Sequence, residues 1–102
     1  MRIEPPVEAA RLAALCRRYH VLRLELFGSR ARGTARPESD VDLLVTFEPG
    51  WTPGLEFYGL ADELAEIFGH PVDLLTRPCV EQDRNPWFRD GVLGGVETLY
   101  AA

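Results

Sequence analysis

The string Val-Asp-Leu-Leu occurs twice, at residues 41–44 and 72–75, each time inside a short run that is otherwise apolar. Runs of five to seven residues with this composition predict β-strands, at 41–47 and 72–76. An ionised acid buried in such a strand is strongly disfavoured unless it meets a cation or a hydrogen-bonding partner. Strand alternation puts Val41, Leu43, Val45 and Phe47 on one face and Asp42, Leu44 and Thr46 on the other. Asp40 and Asp42, two residues apart, then share a face at a Cα separation of roughly 6.5–7 Å, close enough to converge on one divalent cation. Neighbouring strands run about 4.8 Å apart, so if the two strands pair, Asp73 joins the same site. An all-oxygen ligand set favours Mg²⁺ or Mn²⁺, and Mg²⁺ commonly takes one or two carboxylates together with substrate phosphates.

The rest of the chain supplies helices to cover a sheet. After Pro5 and Pro6, apolar Leu12, Leu15, Cys16 and Tyr19 recur at helical spacing, which predicts an amphipathic helix over 7–18. "VLRLELF" alternates, with Leu22, Leu24 and Leu26 on one face and Arg23, Glu25 and Phe27 on the other, and runs into Gly28. A short helix is expected at 30–35, stopped by Pro37. The Pro- and Gly-containing stretch 48–54 reads as a loop, with Trp51 placed to cover something. Phe57, Leu60, Ala61, Leu64 and Phe68 trace one helical stripe over 55–68, and Gly69 is a plausible cap. Beyond residue 76 the pattern gives a loop, a short helical turn near Trp87 and Phe88, and a last strand around 96–100. The fold class is α/β (α+β): a small mixed sheet with helices packed against it.

At 102 residues the expectation is one domain, 1–102, with no room for a second lobe. A net charge of −5 argues against broad phosphate-backbone contact with nucleic acid, and the one dense basic patch is Arg30, Arg32 and Arg36. All 11 basic side chains are arginine, which excludes a lysine nucleophile or a P-loop lysine. Cys16 and Cys79 have no metal-ligand spacing and read as buried or incidental thiols. No signal-peptide core or membrane span is visible, so the expected compartment is the cytosol.

The turn "LFGSRARG" completes a possible anion cradle. Gly28 allows close approach, Ser29 offers a hydroxyl and a backbone N–H, and Arg30 or Arg32 adds charge. Phosphate on one side and metal on the other describe a nucleoside triphosphate site. Gly-Ser alone is a weak signal, and there is neither a P-loop motif nor G-x-G-x-x-G; the specificity lies in Gly28-Ser29, ten residues, Asp40-x-Asp42, then a third strand aspartate.

That conjunction resembles the G-S-x10-D-x-D signature of the polymerase β-like nucleotidyltransferase superfamily. Within it, "LFGSRARG…SDVDLLV" followed by "HPVDLLT" resembles the minimal nucleotidyltransferase (MNT) domains, over nearly the whole chain. The resemblance implies the polymerase β-like fold. It also implies that Gly28, Ser29, Arg30 and Arg32 hold the triphosphate of ATP, and that Asp40, Asp42 and Asp73 are catalytic and bind Mg²⁺. It further implies transfer of AMP to a hydroxyl, a tyrosine of a HEPN-domain toxin in the antitoxin members. Alternatives are an antitoxin that neutralises its partner by contact alone, or a small-molecule enzyme like the aminoglycoside nucleotidyltransferases, which usually carry an extra substrate domain. With no substrate lobe, the acceptor must be presented by a partner protein, and Trp51, Tyr58, Trp87 and Phe88 are candidate exposed contacts.

Overall fold

In residues 41–47 every second side chain is aliphatic or aromatic, and the strand built there lies at the centre of the molecule. The computed structural model describes residues 6–33, 36 and 40–102, without the side chains of residues 6–8, 29 and 32. Its elements run α1 (Pro6–Arg18), β1 (Val21–Phe27), α2 (Ser29–Arg32), β2 (Val41–Phe47), α3 (Glu56–Phe68), β3 (Val72–Thr76), α4 (Arg77–Glu81), α5 (Pro86–Leu93) and β4 (Glu97–Ala101). The sheet order is β3-β2-β1-β4, with β2 parallel to β3 and β1 antiparallel to both β2 and β4. A parallel pair needs a crossover, and α3 provides it between β2 and β3.

One face of the sheet, carrying Leu24, Leu26, Val41, Leu43 and Val45, packs against α1 through Leu12, Leu15 and Cys16 and against α3 through Leu60, Leu64 and Ile67. Burying each of these aliphatic side chains is worth roughly 1.5–3 kcal/mol. The Tyr19 hydroxyl donates to Glu63 Oε2 at 2.7 Å, which ties the end of α1 to α3. Gly69 caps α3 in the left-handed conformation at φ 71°, with its N–H on the Ala65 carbonyl, as its position after Phe68 predicts.

The opposite face is covered too. Phe27 and Leu44 pack there with Val80 of α4 and Val92 of α5. The helix α4 falls where the sequence pattern predicts a loop: Pro78 sits in its first turn, where a missing N–H costs nothing. The turn near Trp87 extends to the eight residues of α5 despite Gly91, because Asn85 caps it, its side chain accepting the N–H groups of Trp87 and Phe88.

Two face assignments need correction. A bulge in the ladder between Val21 and Arg23 shifts the alternation of β1, so Val21 is the core residue and Leu22 is 39% exposed. Trp51 is half-buried, stacked on His20 and packed against Phe47, so it covers the end of the sheet and is not an exposed contact. Tyr58, Trp87 and Phe88 are exposed, as expected. Pro37, expected to end the short helix, lies outside the described residues. Among the described residues no helix is long and apolar enough to cross a membrane.

Candidate active site

The pleat of β2 and the parallel register of β3 bring the strand aspartates together. Asp42 pairs with Phe27 of β1 on one side and with Asp73 of β3 on the other, so the two carboxylates are Cα partners on adjacent strands. The pairing that the repeated Val-Asp-Leu-Leu suggests is therefore formed residue for residue, Val41 opposite Val72 through Leu44 opposite Leu75. Like charges placed directly opposite one another are destabilising unless something cationic joins them. Asp40 stands exposed immediately ahead of β2. Among the described residues, no three His, Cys, Asp or Glu side chains gather closely enough to hold a metal ion by themselves.

Gly28 ends β1 at a φ of 77°, a left-handed conformation that glycine adopts without penalty. A Cβ built on it would fall 2.3 Å from Asp42 Oδ2 and 3.2 Å from Asp42 Cγ. The absence of a side chain at residue 28 is what lets the turn and the Asp42 carboxylate occupy adjoining space. A phosphate drawn to the turn and a cation drawn to Asp42 would therefore meet, which is the fit the donor set requires of a metal–nucleotide complex.

The four-residue α2 begins at Ser29, directly after that turn. The side chains of Ser29 and Arg32, both expected to contact phosphate, lie outside the described residues. Arg30 is half-buried, and its Nη2 lies 3.4 Å from Nδ1 of His70. His70, not singled out by the sequence pattern, precedes Pro71, whose carbonyl accepts the Val41 N–H at 2.9 Å. The arginine thus links the glycine turn to the residues that lead into β3. The only sequence signal for His70 is its place in "HPVD", three residues ahead of Asp73.

The family model for the nucleotidyltransferase domain matches residues 11–90, a span that includes the glycine turn and all three aspartates. The chain belongs to the nucleotidyltransferase domain family. A Methanocaldococcus jannaschii protein described as a candidate protein adenylyltransferase is 36% identical over 76 residues, covering 74% of this chain and 73% of that protein. The solved structure of a candidate minimal nucleotidyltransferase superposes with a TM-score of 0.66 at 37% identity, covering 90% of this chain and 88% of that one. A crystal structure of a toxin–antitoxin with AMP-PNP contains a chain that matches at a TM-score of 0.67 and 22% identity, covering 92% of this chain and 73% of that one. At that identity the likeness is one of fold. The α/β reading from the sequence, a small mixed sheet with packed helices, is the fold these nucleotidyltransferases share.

Proposed function

We propose that this nucleotidyltransferase moves AMP from ATP to a hydroxyl, a tyrosine side chain on a HEPN-type toxin, and acts as the antitoxin of the pair. The observation that carries this reading is the contiguity of Gly28, Asp42 and Asp73, which sets a close-approach turn beside two paired carboxylates. The relative described as an adenylyltransferase and the toxin–antitoxin fold neighbour support the choice of nucleotide and partner.

The Gly28-Ser29 turn, with Arg30 and Arg32, receives the triphosphate and holds the α-phosphorus in line with the incoming oxygen. Mg²⁺ would be held at the paired Asp42 and Asp73, with Asp40 immediately ahead of β2 as the further carboxylate, and would supply Lewis-acid stabilisation of the charge that builds on the phosphoryl oxygens. Asp73, on the outer strand, favours loss of the acceptor proton as the hydroxyl oxygen bonds to the α-phosphorus. The bond from that phosphorus to the bridging oxygen breaks, and pyrophosphate leaves with the electron pair. The acceptor is presented by the partner, and exposed Tyr58, Trp87 and Phe88 are the contacts offered to it.

The test is transfer of α-labelled ATP, with Mg²⁺, into proteins of the source cell extract, beside an Asp40→Asn, Asp42→Asn control. A labelled band that vanishes in the control is the expected result. Metal-dependent ATP binding with no labelled band would favour neutralisation of the partner by contact alone.

A further inference from the structure

Among the described residues one polar side chain is buried, and it is charged: Glu25, 3% exposed. It lies on the carboxylate-bearing face of the sheet, where its Cα partner on β2 is Leu44, itself opposite Leu75 of β3. The row Glu25–Leu44–Leu75 therefore runs directly behind the row Phe27–Asp42–Asp73. By strand geometry Glu25 stands roughly 8 Å from Asp42, one step back and one strand across. Arg77, the first residue of α4, reaches back over this face and donates from Nη1 to Glu25 Oε1 at 2.5 Å. Its Nε lies 3.4 Å from the half-exposed Glu81, and its own side chain is 24% exposed.

Stability does not explain such a pair. Replacing a buried ion pair by well-packed apolar residues is often neutral or stabilising, and the rest of this interior is aliphatic or aromatic. The location is more telling. An unbalanced charge at this distance, behind a low-dielectric layer, acts on any cation at Asp42 far more strongly than it would through water.

We propose that Glu25 and Arg77 form a charge-balanced pair that sets the divalent-metal affinity of the carboxylate face. They are positioning residues, which touch neither metal nor nucleotide; the inference rests on the reading of this face as the nucleotide site. Arg77 anchors the start of α4 across the sheet, and Glu25 cancels its charge so that the field at Asp42 is left to the site's own carboxylates.

The experiment is Mn²⁺ binding to the full chain, followed by electron paramagnetic resonance without nucleotide, with thermal unfolding recorded for each variant. Glu25→Gln leaves the guanidinium with only the half-exposed Glu81 as a partner and is expected to weaken Mn²⁺ binding about tenfold, an effect that shrinks at high salt. Adding Arg77→Met to that variant removes the excess charge and is expected to restore affinity to within about twofold of the parent. A purely structural role would leave the double variant at least as impaired as the single one. Unchanged affinity in Glu25→Gln, or no recovery in the folded double variant, overturns the proposal. Should Glu25→Gln fail to fold, Arg77→Met alone carries the test with the opposite sign: tighter Mn²⁺ binding supports the pair, and equal or weaker binding overturns it. Asp42→Asn is the separating control, because binding as tight as the parent's there would overturn the reading of the face itself.

Discussion

Asp42 occupies space that a side chain at residue 28 would claim, since a Cβ on Gly28 would fall 2.3 Å from Asp42 Oδ2. Gly28→Ala must therefore both hold a left-handed φ of 77° and push the carboxylate aside. The backbone conformation alone costs roughly 1–2 kcal/mol. A fall in Tm of roughly 5–10 °C is expected by calorimetry, together with loss of Mg²⁺-dependent ATP binding. A variant with unchanged Tm and unchanged nucleotide affinity would contradict this account of the turn.

Asp42 and Asp73, as Cα partners on adjacent strands, place two acids opposite one another. Asp73→Asn is expected to raise stability in chelator by about 0.2–1 kcal/mol, because a like-charge cross-strand pair is removed. The same variant should lose the stabilisation that Mg²⁺ gives the parent, and adenylyl transfer should fall by about 10²-fold or more. Thermal melts with and without metal check the first two effects, and a metal response equal to the parent's would remove Asp73 from the site.

The two thiols should behave oppositely. Cys16 is fully buried in the α1 core, and burial pushes its pKa up from 9.0 to about 12, whereas Cys79 is exposed. Titration with an aromatic disulfide should find one reactive thiol in the native protein and the second only on unfolding. Because the folded value is the higher one, the contribution of Cys16 to stability is complete below pH 9.0 and is lost as pH rises toward about 12. Cys16→Ala should flatten that alkaline slope in denaturant titrations; an unchanged slope would assign it to another group.

Asn85 accepts the N–H groups of Trp87 at 3.0 Å and Phe88 at 3.4 Å at the start of α5. Asn85→Ala should cost about 1 kcal/mol and speed amide exchange in α5 first. Retained protection there would mean that the packing of Val92 alone holds the helix.

Where the chain obeys one period throughout, the sequence reveals its structure. The face assignment of β2 and the stripe of α3 with its Gly69 cap follow from alternation and helical spacing, whereas the apposition of Asp42 with Asp73 is expected only if their strands pair, which the structure shows. Local departures from a period leave no such trace. The bulge after Val21 moves Leu22 outward, and nothing in "VLRLELF" announces an extra residue. The burial of Glu25 depends on Arg77, 52 positions away, a tertiary pairing invisible to any local pattern. The helix α5 is only partly legible: the pattern gives a short helical turn near Trp87 and Phe88, the glycines obscure the rest, and the Asn85 cap that starts the helix emerges from the structure. The approach of Asp42 to Gly28 follows from the β1–β2 register, which sequence spacing alone does not specify.

The most direct measurement compares two labels of one nucleotide. Purified protein is incubated with its partner, Mg²⁺ and ATP labelled either at the α- or at the γ-phosphate, beside an Asp42→Asn control. Adenylyl transfer at the Gly28–Asp42–Asp73 site predicts α-label on the partner, γ-label released as pyrophosphate, and neither with the control. γ-Label on the partner, or α-label transferred undiminished by Asp42→Asn, would contradict it.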